Sequence, residues 1–236
     1  MDARERVKLL RQAEDSLRLQ AILIEKCKRD IHFWFNTFCW THDPRKDTPE
    51  MPFILYPFQE WAVEEFHNCI VEQEDCLIEK SRDMGASWMI ILVYQYWWLF
   101  ADGANFHAGS RKQDFVDKLG DISTLFEKFR FNLRRLPKWM KPTAQSSLFK
   151  IINLDNGNVF TGESANPDFG RGGRYRSALF DEFAFWAFDD ASMAACGQST
   201  NCRFLLSTPY GANNRFGREA NNTNTIIVPK PKILTP

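Results

Sequence analysis

The chain has 236 residues and a formal net charge of zero, 30 Lys and Arg standing against 30 Asp and Glu. That balance excludes nucleic-acid binding through global charge and leaves only a local patch for it. At 44% hydrophobic and 14% aromatic residues the composition excludes a disordered chain, and the length suits one large domain with a substantial core. The six cysteines include no Cys-x-x-Cys pair and no cluster with histidine, which argues for reduced buried thiols and against zinc. Residues 1–5 do not open a signal peptide. The apolar run at 88–100 is too short for a membrane span and reads as a buried helix.

In chain order, Leu9, Leu10, Leu17, Leu19, Ile22 and Leu23 sit at helical spacing in a charged background, which predicts an amphipathic helix over residues 1–30. Aromatics (Phe33, Trp34, Phe35, Phe38, Trp40) and a polar loop over 41–50 follow. Leu55-Tyr56-Pro57-Phe58-Gln59 leads into a helix expected over 60–72. A strand at 76–79 and a helix at 87–100 flank a loop. A second strand is expected at 105–108, with Ser110 capping a helix that runs to about residue 133. Asp155-Asn156-Gly157-Asn158 joins 149–154 to 159–161 as a hairpin. A Gly/Arg loop at 170–174 precedes a strand at 177–180, a helix from about Ala184 and a strand at 203–207. Residues 221–236 are rich in Asn, Thr and Pro and read as a linker start or a ragged end. Strands alternating with helices predict a mainly parallel α/β sheet flanked by helices.

The strand at 76–79 runs into Lys80-Ser81-Arg82-Asp83-Met84-Gly85-Ala86-Ser87, the layout of a phosphate-binding loop. Such loops usually end Gly-Lys-Ser/Thr, and Ala86 stands where that lysine belongs. Lys80 and Arg82 are then the candidate phosphate cations. Gly85 allows close backbone approach, the following helix N-terminus offers free N–H groups, and Ser87 supplies a hydroxyl for Mg²⁺. Read alone, Lys80 is a surface lysine.

The strand at 177–180 delivers Asp181 and Glu182 at its C-terminal end, where ligands bind in open α/β sheets. Asp181 can hold Mg²⁺ through water, and Glu182 can orient and deprotonate an attacking water. The plain alternative is a strand end with two solvated acids. Ser207 and Thr208 end another buried strand and can sense a terminal phosphate, or form an ordinary strand end. Gln59, near aromatics, can bond an adenine edge, or sit on an exposed helix start. Arg171 and Arg174, in their Gly-rich loop, suit a transition-state arginine given in cis or by a neighbouring subunit, or a surface loop. Arg130, Arg134, Arg135, Lys138 and Lys141 form a basic stretch with interleaved aromatics and no acid. It fits a phosphate-backbone track and, equally, a helix end whose cations favour the dipole.

Taken in order, these motifs resemble the ATPase domain of a bacteriophage large terminase subunit, the DNA-packaging motor, from about Phe33 to about Phe216. Residues 55–59 resemble the family's adenine-binding segment. Residues 80–87 resemble its variant Walker A loop, with the lysine moved to the front. Leu179-Phe180-Asp181-Glu182-Phe183-Ala184-Phe185-Trp186 resembles its Walker B motif with the catalytic glutamate, and Ser207-Thr208-Pro209 its coupling motif. Arg171-Gly172 stands where some members carry an arginine that acts on the next subunit's ATP.

The resemblance implies a P-loop NTPase of the ASCE type, with ATP and Mg²⁺ as cofactors and Lys80, Ser81, Arg82, Asp83, Met84, Gly85, Ala86 and Ser87 cradling the nucleotide. It implies as partners double-stranded DNA, a portal protein, a small terminase subunit and further copies in a ring, a pentamer by analogy. It implies no membrane and a place in the bacterial host cytoplasm, transiently at the procapsid portal. Three parts are expected: a helical or lid extension at 1–50, the ATPase domain at 51–220, and a linker start at 221–236 toward a nuclease. After Thr208 the only acid is Glu219, so no nuclease activity is expected of these residues. Two other readings stand beside this one. One is a helicase-like DNA-remodelling ATPase. The other is a non-hydrolysing assembly module with a decayed loop, for which Ala86 is the main support.

Overall fold

The computed structural model describes residues 2–81 and 84–221, together with the backbone of 226–228. The first thirty residues form two helices, α1 (Ala3–Glu14) and α2 (Leu17–Arg29), and not the single helix expected. Ser16 makes the break: its hydroxyl accepts the Leu19 N–H at 3.2 Å and caps α2. Asp30 caps α3 (Ile31–Phe38) in the same way, through the Phe33 N–H at 2.8 Å. The polar loop after α3 is bracketed by an antiparallel ribbon, β1 (Trp40–His42) with β2 (Glu50–Pro52). Helix α4 (Pro57–Glu72) starts earlier than residue 60, because proline is well placed at the first helical position.

Strand β3 (Cys76–Lys80) and helix α5 (Ala86–Phe100) flank the candidate loop as expected. α5 is buried on nearly all sides, which accounts for its apolar sequence all round. Strand β4 (Phe106–Ser110) runs through Ser110, so Ser110 ends a strand and caps no helix. The long helix expected to follow is split into α6 (Gln113–Val116) and α7 (Leu125–Arg135). Gly120, at φ +81°, and the Asp121 side chain, which accepts the N–H and O–H of Ser123, make the turn between them. Thr124 then caps α7 through the Glu127 N–H at 3.3 Å.

Strands β5 (Ala144–Ser147), β6 (Lys150–Asn153) and β7 (Val159–Ser164) follow, with the expected hairpin between β6 and β7. After β8 (Ser177–Asp181), residues Phe183–Phe185 form one 3₁₀ turn, and the helix expected from Ala184 begins only at α8 (Asp189–Cys196). The Trp186 indole holds the chain in that turn by donating to the Asp181 carbonyl at 2.9 Å. Strand β9 (Arg203–Ser207), helix α9 (Arg215–Ala220) and strand β10 (Ile226–Val228) complete the order.

Eight strands make one sheet in the order β10-β3-β9-β8-β4-β7-β6-β5. Pairing is parallel from β10 to β7 and antiparallel from β7 to β5. β10 carries the sheet beyond residue 220, into the stretch read as a linker. One face packs against the helices, and α1–α3 share that core with α4, α5 and α7 through Ala13, Leu23, Trp34, Ile90, Phe129 and Phe160. The other face holds a smaller cluster of Phe169, Phe180, Phe183, Trp186 and Met193. Each fully buried Phe, Ile or Met stabilises by about 1.5–3 kcal/mol, so the sheet is held rigidly from both sides. The C-terminal ends of β3, β9, β8 and β4 therefore meet at one fixed edge.

Among the described residues no helix is long and apolar enough to cross a membrane. The six cysteines are all free.

Candidate functional site

The loop after β3 and the acids after β8 come together at that edge. Lys80 ends β3 and donates from Nζ to Glu182 Oε1 at 3.2 Å. Ser87, in the first turn of α5, donates from its hydroxyl to Asp181 Oδ1 at 3.2 Å, and Ser110, at the end of β4, donates to Oδ2 at 3.2 Å. Asp181 is buried at the end of β8. Burial pushes its carboxyl above the ordinary range, against the pull of the Lys80 charge.

Glu182 follows in the left-handed region, at φ 55° and ψ 38°. A non-glycine residue there stores backbone strain, and such strain concentrates at functional sites. The strained link turns the Glu182 carboxylate out of the sheet, half-buried, toward Lys80. Gly85 is also left-handed (φ +74°), at the N-terminus of α5, and a Cβ there would sit 3.4 Å from Gln59 Nε2. Ser81 carries a buried hydroxyl with no partner among the described residues. Arg82 and Asp83, both expected in the cradle, lie outside the described residues.

A cavity of about 540 Å³ opens over these groups and is lined by Lys80, Ser87, Asp181, Glu182 and Thr208. That volume is in the range of small-ligand sites. Arg111 and Lys128 also line it, and sequence reasoning missed both. Arg111 follows β4 at the ligand edge of the sheet, a signal that could have been read. It lies over the rings of Phe115 and Phe185, and no carboxylate among the described residues pairs with it. Lys128 sits in the first turn of α7, and no local pattern marks it.

The other expected site residues divide. Gln59 is buried and does not line the cavity: its amide accepts the Tyr56 N–H at 3.1 Å and donates to the Met84 carbonyl at 3.3 Å. In this structure it braces the loop. Ser207 is buried too and accepts the Ala184 N–H at 3.2 Å, tying β9 to the turn that follows Glu182. Arg171 and Arg174 are exposed, away from the cavity lining, and Arg171 pairs with Asp168 at 3.1 Å. Their loop is pinned at Gly170, whose N–H is donated to Glu163 Oε1 at 2.8 Å and whose carbonyl accepts from Ser199. The same Glu163 oxygen contacts His107 Nε2 at 2.9 Å.

The basic stretch is corrected at Arg130. Its guanidinium is buried and grips Asp117 with both terminal nitrogens, at 2.6 and 2.8 Å, so it offers no charge to a DNA surface. Arg134 pairs with Glu127 at 2.5 Å, and Arg135 pairs with Glu50 and lies 3.5 Å from the Phe131 ring centre. Lys138 and Lys141 are exposed. The acids that neutralise the stretch come from outside it or from earlier in α7.

The fold and this edge define a P-loop NTPase fold of the ASCE class. The loop strand β3 and the acid strand β8 are separated by one further parallel strand, β9, and a glutamate follows the strand-end aspartate. Among solved structures, the large terminase of bacteriophage HK97 matches over 85% of this chain and 43% of its own, with a TM-score of 0.62 at 15% identity. The large terminase of a thermophilic bacteriophage matches over 72% of this chain and 44% of its own, with a TM-score of 0.54 at 14% identity. Its complex with ADP matches over 73% and 44%, with a TM-score of 0.54 at 13% identity. The chain thus shares the fold of phage large terminases and spans less than half the length of those it matches. No protein-family model matches the chain, and no curated protein matches it.

Proposed function

We propose that this chain is the Mg²⁺-dependent ATPase part of a phage terminase motor that moves double-stranded DNA into a procapsid. The single observation that supports it most is the meeting of Lys80 with Glu182 and of Ser87 with Asp181 at one sheet edge, under one cavity. The ADP complex of a terminase with the same fold supports nucleotide binding.

The residues fit the nucleotide and the ion. The Ser81 hydroxyl, without a partner among the described residues, and the left-handed Gly85 suit a loop that wraps phosphate. Asp181 and Ser87 offer hard oxygen ligands, and no cluster of three or more His, Cys, Asp or Glu gathers among the described residues. A single carboxylate and a hydroxyl, completed by water and substrate phosphates, is a donor set that suits Mg²⁺. Bound there, the ion would neutralise charge on the phosphates.

Lys80 holds a terminal phosphate and releases Glu182 as it does so. Glu182 then orients a water in line with that phosphate and accepts its proton. Gln59 keeps the loop in register through Met84. Thr208, at the cavity, and Ser207, bonded to the turn after Glu182, pass loss of the phosphate to β9 and the turn. Arg171 acts in trans on the ATP of the next subunit in a ring. The portal and a small terminase are its assembly partners, exposed Lys138 and Lys141 with Arg134 contribute to a DNA-facing patch, and the host cytoplasm is its compartment.

The test is Mg²⁺-ATP hydrolysis over a range of protein concentrations. Turnover that rises faster than linearly supports a shared site. Absence of nucleotide binding at every concentration refutes the reading.

A further inference from the structure

The loop lacks the lysine that usually reaches the β- and γ-phosphates. Ala86, at that position, is buried at 2% exposure and brings only a methyl group. We propose that Lys128, from helix α7, supplies a second cationic phosphate contact beside Lys80, from outside the loop; this rests on the ATPase reading above.

Lys128 is 8% exposed. It lines the cavity that holds Lys80, Asp181 and Glu182. It also lines a second, smaller space of about 150 Å³ beneath Met84, Gly85 and Ala86. Lys128 therefore stands between the loop and the acid strand, at the space the proposed triphosphate would enter. Lys80 and Ser87 are the other residues that line both spaces.

The local geometry fixes the amine there. In a helix a long side chain leans back toward the N-terminus. Lys128 Nζ accordingly donates to the carbonyls of Ser123 and Thr124, just before α7 begins. Ser123 lines the same cavity. An ammonium has three donors. These carbonyls take two, and no third acceptor and no ion-pair partner is present among the described residues. The Trp88 ring, 5.9 Å away, closes another side.

A buried cation without a paired anion is costly. Burial pulls the Lys128 amine down to about 8, the charge of Lys80 adding to that and the charge of Asp181 opposing it. A polyanion in the cavity relieves that cost. A lysine kept only to balance Asp181 would give a different result, because its removal would act on stability and on all nucleotides alike.

The experiment is calorimetric titration of the full chain with Mg²⁺ and ATPγS, ADP or AMP, for the wild type, Lys128→Met and Lys128→Arg. A charge-assisted contact predicts that Lys128→Met weakens ATPγS by about tenfold or more and ADP by about threefold or less. Lys128→Arg restores part of the preference, and the melting temperature of Lys128→Met does not fall. Should Lys128→Met not fold, Lys128→Gln is read the same way. An unchanged ratio of ATPγS to ADP affinity, or equal loss of both, overturns the Lys128 proposal and leaves the ATPase reading standing. A wild type that binds none of the three nucleotides overturns both.

Discussion

Lys80 and Glu182 lie 102 positions apart and meet at 3.2 Å, the amine of the loop strand against the carboxylate that follows the acid strand. The pair neutralises two groups that the proposed ATPase would need separately, a cation for the nucleotide and a base for water. Glu182 occupies a strained left-handed backbone conformation there, at φ 55° and ψ 38°. Glu182→Gln keeps the shape and removes the base. Turnover is expected to fall by about 10²–10⁴-fold, with ATPγS affinity changed by less than about threefold. Steady-state hydrolysis beside calorimetric titration checks this, and retained turnover would remove Glu182 from its assigned role.

The exposed Arg171 beyond the pinned Gly170 gives a test of sharing between subunits. Arg171→Ala and Glu182→Gln are each expected to lower turnover strongly, the arginine by about 10³-fold or more. Mixed together, they are expected to recover part of it, because one copy supplies the arginine and its neighbour the glutamate. Mixtures no more active than either variant alone would place the arginine's effect in cis or outside the reaction. Arg174→Ala in the same assay decides between the two arginines.

The Asp117–Arg130 pair should carry stability and no chemistry. Asp117 accepts two N–H groups from Arg130 and the Phe149 N–H at 2.8 Å, all of them local to α6, α7 and the β5–β6 turn. Asp117→Ala removes the bidentate carboxylate from a buried guanidinium, which keeps Ser146, the Ser147 carbonyl and a longer 3.6 Å contact with Glu127, and it is expected to cost about 1–3 kcal/mol. Urea denaturation of the two chains measures it. A loss below about 1 kcal/mol would mean that Glu127 or water takes the place of Asp117 at Arg130.

The buried amine of Lys128 predicts a pH dependence of the nucleotide-free protein. Its pKa is about 8 when folded against 10.5 for the free side chain. Between those values the unfolded chain binds more protons than the folded one, so this group makes stability rise with pH over that window. Below about 8 the amine is charged in both states and its contribution is flat. Thermal melts at pH 7.5 and 10 should therefore show a smaller relative loss, or a gain, in the wild type that is absent in Lys128→Met. Identical pH profiles for the two proteins would show that the amine is solvated.

Much of the sheet was legible along the chain, because its signals are local. β3, β8 and β9 are short apolar runs that end in polar residues, and the Asn-Gly turn announces the β6–β7 hairpin. Where the reading failed, competing local bonds decided: Ser16 broke the first helix, Asp121 and Gly120 split another, and the Trp186 indole held the chain after β8 in a turn. Strand β5 (Ala-Gln-Ser-Ser) carries little hydrophobic pattern of its own and is defined by the partner it pairs with, while β10 is an apolar run of only three residues, Ile226-Ile227-Val228, inside a stretch whose Asn, Thr and Pro content masked it.

The sequence by itself determined the motif order: the loop after β3, the acids after β8 and the Ser-Thr end of β9. Those follow from residue type and from the period of the buried strands. Only the tertiary structure decided which charges share a space. It set Lys128 beneath the loop, turned Gln59 to brace Met84, and buried Arg130 against Asp117. A charged side chain reads the same in sequence whether it faces water, an acid or a cavity. What separates the cases is the packing of helices against a sheet, which joins residues tens of positions apart.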